Sequence, residues 1–265
     1  MVMSPLIVSV DLRDLLESYG RGEVALDEVL RQIRLVSYRS VGEMAKIDHH
    51  RADRTGIPEA ILAEGKEEAD LARIVLTQLD AAGLALITRV TDPQLQVLRE
   101  LDLPHGAGFR WEERARMVVL SSKKVQMSGG KVGVLSAGTA DIPVAEEARV
   151  TAEVMGCEVV TEYDLGVAGI HRLFPSLEKV MDADALVVAA GREGTLPTVV
   201  AGLVEVPVIG LPVSTGYGAG GEGQAALLSM LQSCSVMVVV NIDAGFVAGA
   251  FAANVAGNCA RRRNM

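Results

Sequence analysis

In Lys131-Val132-Gly133-Val134-Leu135-Ser136-Ala137-Gly138-Thr139-Ala140-Asp141, a short apolar run leads into a turn of small residues and the start of a helix. Three further apolar runs follow, each ending in a Gly-, Ser- or Asn-rich turn before a helix-like stretch: residues 185–190, 207–211 and 236–242. Strands that alternate with helices are typical of a parallel sheet covered on both faces. Ligands of such sheets bind beyond the carboxyl ends of the strands, so we expect function in these turns.

The composition excludes several kinds of partner. The 265 residues are 49% hydrophobic, which is enough for a substantial core in one large or two medium domains. Aromatic residues make up only 3% and the net charge is −9, so neither a base-stacking platform nor a basic footprint for nucleic acid is expected.

The chain is expected to be cytoplasmic, with no membrane partner. Residues 2–10 are apolar but too short and too poor in basic residues for a signal peptide, and no apolar stretch reaches the ~18 residues that span a bilayer. Cys157, Cys234 and Cys259 are odd in number and form no CxxC pair, which argues against a disulfide framework or a structural zinc site.

The first 125 residues predict a smaller mixed α+β domain. Asp92 and Pro93 are expected to be the N-cap and the first residue of a helix. The predicted elements are helices over 11–19, 26–38, 67–82 and 92–101, a long loop or arm over 41–65, strands over 84–90 and 116–121, and a turn over 104–109. Residues 121–130 form the predicted linker, so the domains are expected to span 1–125 and 131–260.

The second domain predicts a doubly wound α/β fold with a five-stranded parallel sheet. Its strongest helix signal is Asp141 as N-cap, with Pro143 in the first turn and Gly156 after the end. The predicted strands cover 131–136, 157–161, 185–190, 207–211 and 236–242, and the helices cover 141–155, 170–181, 196–204, 222–232 and 246–257.

The first turn, residues 136–141, has the composition of an anion cradle, in which backbone N–H groups and a helix dipole face a phosphate. Ser136, Gly138, Thr139 and Asp141 are therefore candidate binding residues. Small residues also serve tight turns that bind nothing, and this alternative stays open.

The second turn places a charged pair, Arg192 and Glu193, between Gly191 and Gly194 just after a buried strand. Charges at such a place are costly unless they face a wet cleft, which makes Glu193 a candidate general acid or base and its neighbours candidate binding residues. The alternative is an ordinary surface loop.

The third turn, residues 212–223, holds five glycines, more than a strand-to-helix connection needs. It is expected to be a mobile lid or a backbone that approaches a ligand closely, and its candidate contacts are Thr215, Gly216, Tyr217 and Gly218.

The fourth turn contributes Asn241, Asp243 and Gly245. The first two side chains could bind a ligand hydroxyl, and Asp243 could equally be only the N-cap of the last helix.

Cys234 follows the predicted helix over 222–232. A lone cysteine is most often an inert hydrophobe, and this helix should carry the chain to the edge of the sheet opposite the four turns. The residues alone therefore favour no catalytic role for this thiol.

Taken together, the turns resemble the PurE superfamily of aminoimidazole ribonucleotide carboxylases and mutases. The resemblance rests on the turn at 136–141, the Leu196-Pro197 turn end and the strand end at 207–212. PurE enzymes carry a catalytic His before Leu-Pro, whereas this chain has Thr195, which argues against the PurE reaction.

The chain more closely resembles the LarB family, the pyridinium-3,5-biscarboxylic acid mononucleotide synthases that begin synthesis of the nickel-pincer nucleotide of lactate racemase. The similarity covers most of the sequence, and its combined motifs are far more specific than a single glycine turn. The motifs are Lys46-Ile47-Asp48-His49-His50-Arg51, Glu64-Gly65-Lys66, residues 137–148, Glu193-Gly194-x-Leu196-Pro197, Gly216-Tyr217-Gly218, Ser233-Cys234 and Asn241-Ile242-Asp243-x-Gly245-Phe246.

This resemblance implies a PurE-like sheet with flavodoxin-like strand order and a reaction on nicotinic acid adenine dinucleotide. CO2, or bicarbonate as its source, adds at C5 of the pyridinium ring, and hydrolysis of the phosphoanhydride releases AMP. Cys234 matches the family's nucleophile, and Glu193 matches a residue that assists by removing a proton or activating water.

The resemblance also sets expectations about cofactors, partners and assembly. No tightly bound organic cofactor is implied, a need for Mg²⁺ is left open, and a homo-oligomer (an octamer or tetramer) is expected to bring Cys234 to the turns. Lys46, His49, His50 and Arg51 are candidate lid residues. The alternatives are a PurE-type carboxylase or mutase and a nucleotide-binding module without catalysis.

Overall fold

A computed structural model describes residues 12–36, 38–42 and 45–263. The chain divides into two compact units, residues 1–59 and 60–265. The apolar segment at 2–10 and the expected helix start at Asp11 lie outside the described residues. The two compact units are groups of residues that lie close together in space. The domain boundaries at 125 and 131 are inferred from a change in composition, and they stay a prediction.

The first unit contains a helical pair, a β-hairpin and a short helix. Two strands pair antiparallel with Arg39 opposite Ile47, and the buried side chains Val41 and Ile47 hold the hairpin. The elements are α1 (Leu12–Gly20), α2 (Leu26–Val36), β1 (Arg39–Val41), β2 (Ala45–Ile47) and α3 (Arg51–Thr55). The expectation of a long loop over 41–65 is wrong, because strands of three residues are too short to show periodicity in a polar sequence.

The second unit begins with a mixed four-stranded sheet in the order β3-β4-β6-β5. The N-cap of the helix at Asp92–Arg99 is Thr91 rather than Asp92, and the backbone N–H of Thr91 donates to Gln94 Oε1 at 3.0 Å. The sequence pattern missed the strand at 108–112 and extended this helix two residues too far. The elements are β3 (Ala60–Leu62), α4 (Glu68–Ala82), β4 (Leu84–Thr88), α5 (Asp92–Arg99), β5 (Gly108–Glu112) and β6 (Met117–Ser121).

The remainder of this unit is an α/β layer. Within the described residues its five strands are all parallel, in the order β11-β10-β9-β7-β8. This confirms the predicted doubly wound sheet with flavodoxin-like order. The elements are β7 (Lys131–Ser136), α6 (Ile142–Val154), β8 (Glu158–Glu162), α7 (Leu173–Glu178), β9 (Ala185–Ala190), α8 (Thr195–Ala201), β10 (Val208–Pro212), α9 (Gln224–Leu231), β11 (Val238–Val239) and α10 (Gly245–Arg263).

Three predicted elements of this layer differ in length by more than three residues from the observed ones. The helix expected over 170–181 is a 3-10 turn (Val167–Arg172) followed by α7, with non-helical backbone at Gly169. The strand expected over 236–242 pairs only at 238–239, because it lies at the sheet edge and Val236 is 93% exposed. Helix α10 continues six residues beyond 257, to Arg263.

The core of the layer lies on both faces of β9, whose six residues are all buried. One face packs against α6 and α10, and the other packs against α7, α8 and α9. A strand buried on both faces reads as a continuous apolar run, which is why the pattern located it correctly.

Helix α6 also carries the four-stranded sheet. Met117 and Val119 of β6 pack against Val150 and Val154 of α6. The Arg149 guanidinium of α6 donates to three carboxylates, at 2.6 Å to Glu112 of β5 and at 2.9 Å and 2.7 Å to Glu146 and Glu153 of its own helix. Burial alone would lower the pKa of Arg149, but the three glutamates together hold it above its usual range.

None of the helices in the described ranges is both long enough and apolar enough to cross a bilayer.

We expect Gly133→Ala to destabilise the protein by ~1–3 kcal/mol, because overpacking a filled core forces neighbours to shift. A Cβ at Gly133 would lie 2.5 Å from Leu186 Cδ2 and 3.1 Å from Val180 Cβ. The free energy of unfolding, measured by urea denaturation, tests this.

Gly108→Ala is the matched control, since Gly108 also lies in a strand of this unit and a Cβ there meets only the Ser121 carbonyl at 3.8 Å. Equal stabilities of the two variants would contradict the packing described for β7.

Candidate functional site

A cavity of about 620 Å³ opens where the strand order reverses, beyond the carboxyl ends of β7 and β9. This switch point is the usual ligand site of a doubly wound sheet, and the volume suits a small-molecule ligand. The lining residues come from the segments that follow β7, β8, β9 and β10: Ala137, Gly138, Thr139, Ala140, Asp141, Gly166, Val167, Ala168, Ala190, Gly191, Arg192, Glu193, Thr195, Leu196, Thr215, Gly216 and Tyr217.

The Asp141 carboxylate joins three of these turns. It accepts hydrogen bonds from Gly138 N at 2.8 Å, Gly191 N at 3.1 Å and Thr215 Oγ1 at 2.6 Å, and Asp141 is only 5% exposed. Burying a carboxylate is tolerable because three donors replace its lost water. Asp141 does stand at the N-cap position of α6, but its side chain organises the turns instead of capping the helix.

This arrangement explains why the second turn is framed by glycines. A Cβ at Gly191 would lie 2.1 Å from Thr215 Oγ1 and 2.9 Å from Asp141 Oδ1, so no other residue fits. Gly194 has φ of +64°, and its Cα faces the backbone of α9 at Ala226.

The first turn keeps part of the expected cradle. Gly138 N–H is used by Asp141, and Asp141 N–H donates to the Gly138 carbonyl. Thr139 and Ala140 line the cavity at the start of the 3-10 turn, where N–H groups have no helical acceptor. The available donors are therefore fewer than the sequence pattern suggests.

Arg192 and Tyr217 form an exposed pair at the cavity mouth. The Arg192 guanidinium lies over the Tyr217 ring, 4.9 Å from its centroid, and Tyr217 is 82% exposed. The backbone N–H of Arg192 donates to the Thr215 carbonyl at 2.9 Å, which joins the second and third turns. A flat ring or an anionic group entering the cavity would meet this pair first.

Glu193 lines the same cavity and is exposed. Among the residues that the structure describes, none forms an ion pair with its carboxylate. A solvated carboxylate beside the cavity is available to accept a proton from a bound ligand.

The fourth turn supports the third without lining the cavity. Asp243 Oδ1 accepts the Ser214 N–H at 2.8 Å, and Asp243 N–H donates to the Pro212 carbonyl at 2.9 Å. Asn241 Oδ1 accepts the Ile242 N–H, and α10 begins at Gly245. The Asp243 side chain is thus used between loops, and ligand-binding roles for these three residues stay predictions.

Three other candidates lie near the cavity without lining it. Ser136 is fully buried and its hydroxyl donates to the Gly138 carbonyl at 3.3 Å, so it supports the first turn from below. Gly194 and Gly218 shape their loops through positive φ. The roles of all three in binding stay predictions.

The sequence reasoning missed the turn after β8. Gly166, Val167 and Ala168 line the cavity from the other side of the first turn. The signal was present, because this segment also follows a strand and is rich in small residues, but the three lining residues themselves carry no polar side chain.

Cys234 is exposed and does not line the cavity. The hydroxyl of its neighbour Ser235 donates to the Thr198 carbonyl of α8 at 2.9 Å and lies near the Cβ position of Gly202. Since α8 starts at the cavity with Thr195 and spans ~10 Å, Cys234 lies near the opposite end of that helix. Exposed apolar side chains of the same region are Leu203, Leu228, Leu231 and Val236.

The candidate lid residues belong to the first compact unit. Lys46 Nζ lies 4.9 Å from the Tyr38 ring centroid, and Arg51 pairs with Glu59 at 3.4 Å. His49 and His50 lie in a turn before α3 and their rings approach to 4.2 Å, so they do not point apart as on a helix. The described residues hold no group of three His, Cys, Asp or Glu side chains placed for a metal ion.

Glu147 of α6 is buried beside the N-terminus of α10, where the Phe246 N–H donates to it. Burial raises the pKa of Glu147 to about 7, and Asp243 adds to this shift, although the Arg89 guanidinium and the hydrogen bond act in the opposite direction. No sequence pattern distinguished Glu147 from the other glutamates of the helix.

The comparisons with known proteins agree with this architecture. The family model described as a LarB/PurE-like N-terminal domain matches residues 38–123, and the AIR carboxylase model matches residues 131–263. A protein of Methanocaldococcus jannaschii described as uncharacterized is 42% identical over 252 residues, which cover 93% of this chain and 97% of that protein.

The fold and the turn cluster define a carboxylase-type enzyme whose cavity lies at the switch point of a PurE-like sheet. The chain belongs to the AIR carboxylase family and carries the LarB-type N-terminal domain in front of its PurE-like domain. This confirms the resemblance that the turns indicate, and it supports a LarB-like or PurE-like carboxylase.

We expect Glu147→Gln to remove a pH dependence of stability. A raised pKa in the folded state means that Glu147 contributes stability below its ordinary pKa of about 4.5 and loses that contribution as pH rises through about 7. Between pH 5 and pH 8 the stability difference should therefore shift in favour of the Gln variant, by up to ~3 kcal/mol.

Urea denaturation at several pH values measures this shift. Glu178→Gln, at an exposed position of α7, is the control and should follow the wild-type pH profile. Parallel profiles for the wild type and Glu147→Gln would refute the assignment.

Proposed function

We propose that the protein carboxylates C5 of the pyridinium ring of nicotinic acid adenine dinucleotide and hydrolyses the phosphoanhydride. The products are pyridinium-3,5-biscarboxylic acid mononucleotide and AMP, in the first step of nickel-pincer nucleotide synthesis for lactate racemase. The observation that carries this proposal is the LarB-type N-terminal domain joined to a PurE-like domain in one chain.

The chemistry requires a nucleophile, because C5 of a pyridinium ring is too electron-poor to attack CO2. Addition of a thiolate at C6 turns the ring into an enamine, whose C5 attacks the CO2 carbon. A base then removes the C5 proton and the thiolate leaves with the C–S electron pair, which restores the aromatic ring. Cysteine suits this cycle because its thiolate is both a strong nucleophile and a good leaving group.

The cavity residues receive complementary roles. Glu193 accepts the C5 proton or activates the water that cleaves the phosphoanhydride. The N–H groups of Thr139 and Ala140 receive a phosphate, and Arg192 with Tyr217 receives the second phosphate or a ring. Thr195 at the position of the PurE histidine favours this reaction over carboxylation of aminoimidazole ribonucleotide.

The nucleophile is proposed to come from another copy of the chain. Cys234 and Glu193 lie toward opposite ends of α8, and the apolar residues that flank Cys234 in the sequence before β11, namely Leu228, Leu231 and Val236, are exposed. An exposed apolar patch of this kind is typical of a subunit interface. A homo-oligomer, an octamer or tetramer, would seat the thiol of one subunit at the cavity of its neighbour.

The reaction balances without a tightly bound organic cofactor, since CO2 supplies the carbon and water supplies the hydroxyl group. A Mg²⁺ ion, if it is required, would be held chiefly by the substrate phosphates. Activity before and after treatment with a chelator tests that requirement.

The reaction is tested by incubating the protein with nicotinic acid adenine dinucleotide and ¹³C-bicarbonate and analysing the products by mass spectrometry. We expect AMP and a mononucleotide that carries one labelled carboxyl group. Cys234→Ser should abolish the labelled product but leave dinucleotide binding, whereas Cys259→Ser should retain the activity. Carboxylation of aminoimidazole ribonucleotide with none of the dinucleotide would contradict the proposal.

Sharing of the site between subunits is tested by complementation. Cys234→Ser and Glu193→Gln chains, each inactive alone, are co-expressed with different affinity tags and purified as mixed oligomers. Random mixing should restore activity at about a quarter of the sites if the two residues come from different chains. If both residues act within one chain, the mixed oligomers stay inactive.

A further inference from the structure

We infer that Arg89, which follows β4 of the four-stranded sheet, is a positioning residue for the cavity loops. Its guanidinium holds the fourth turn, and that turn holds the third. The kinetic test of this inference rests on the proposed function, whereas the test by hydrogen–deuterium exchange does not.

The contact of Arg89 with the fourth turn is direct. Arg89 Nη2 donates to the Asp243 carbonyl at 2.8 Å, and Nη1 pairs with Glu64 at 3.2 Å. Arg89 has φ of +54°, a left-handed conformation that is uncommon for a residue with a side chain. This strained conformation lets the guanidinium extend from the end of β4 in the four-stranded sheet to the fourth turn of the α/β layer.

Asp243 passes this restraint to the cavity. It also has a left-handed φ, +54°, and its carboxylate accepts the Ser214 N–H at 2.8 Å. The next residue, Thr215, donates from Oγ1 to Asp141 and accepts the Arg192 N–H at its carbonyl. Arg89 is therefore two residues removed from the hydrogen bonds that define the cavity.

Charge favours the same position. Glu147 lies buried under the N-terminus of α10, and the Arg89 guanidinium lies close enough to oppose the rise of its pKa. A cation here partly compensates the buried carboxylate and the neighbouring Asp243. A neutral side chain would remove both this compensation and the donor to the Asp243 carbonyl.

The alternative is that Arg89 only braces the two layers against each other. Arg110 offers a matched control, because it also belongs to the four-stranded sheet and pairs with Glu153 of α6 at 3.2 Å. The side chains are similarly exposed, 40% for Arg89 and 46% for Arg110, but within the part of the chain that the structure describes Arg110 pairs with Glu112 and Glu153 and not with the fourth turn.

The experiment compares Arg89→Met with Arg110→Met by hydrogen–deuterium exchange of the full-length protein. We expect Arg89→Met to speed exchange of the amides at 213–218 by ~10-fold relative to the wild type, whereas Arg110→Met should exchange at the wild-type rate. If Arg89→Met does not fold, Arg89→Lys, which keeps a charged donor with a different reach, is measured in its place and should show an increase over the wild type of less than ~10-fold. Unchanged exchange at 213–218, or an equal increase in the Arg110 variant, would overturn the inference.

Kinetics with nicotinic acid adenine dinucleotide supply the second readout. Misplaced loops should raise KM by ~10-fold with a smaller change in kcat, at a melting temperature no lower than that of Arg110→Met. A KM change shared by both variants indicates a mere brace and overturns the positioning role. If the wild type does not convert the dinucleotide, the proposed function fails, and the exchange data alone decide the role of Arg89.

Discussion

The buried carboxylate of Asp141 is the interaction on which the cavity depends. It accepts donors from its own turn, from the turn after β9 and from the loop after β10, which are 50 and 74 residues away in the chain. A carboxyl group so deeply buried needs these hydrogen-bond donors to replace its contacts with water, and this requirement couples the positions of the three loops. The requirement for glycine at 191 follows from the same contact, since the carboxylate and Thr215 leave no space for a side chain.

Helix α6 distributes this constraint through the second compact unit. Asp141 at its start organises the cavity, Glu147 nearly two turns later meets the N-terminus of α10, and Arg149 binds the carboxylate of Glu112 in β5. The four-stranded sheet packs on the same helix through an apolar cluster. One helix thus makes the N-terminal sheet part of the scaffold of the cavity, and a displacement of that sheet would be felt at the turns.

Much of the α/β layer could be predicted from the sequence, because strands buried on both faces are continuous apolar runs. The strands at 131–136 and 185–190 have the predicted bounds for this reason. The strand predicted over 236–242 was too long, since the number of residues that pair at a sheet edge cannot be inferred from an apolar sequence. In the segment at 41–65 the prediction of a loop overlooked two strands and a helix, because these elements are too short to show a hydrophobic period.

The candidate site was predictable as a set of turns but not as a set of contacts. The rule that ligands bind beyond parallel strands identified the turns that hold Thr139, Glu193 and Tyr217. It could not indicate that the Asp141 carboxylate would accept hydrogen bonds from the protein itself rather than contact a ligand. Nor could it indicate that Arg89 would donate to a residue of the fourth turn 154 positions away in the chain. The Arg89 contact involves left-handed backbone at both Arg89 and Asp243, which composition does not reveal.

The last residues of α10 return to the place where the α/β layer begins. Arg263 pairs with Asp184 and donates to the Gly129 carbonyl at 3.2 Å, immediately before β7. A layer whose first and last residues lie close together can be inserted into a loop of another protein without distortion of its own strands. A short linker could therefore join residue 263 to residue 129 in a circularly permuted form of the layer, with the new termini opened in another of its loops.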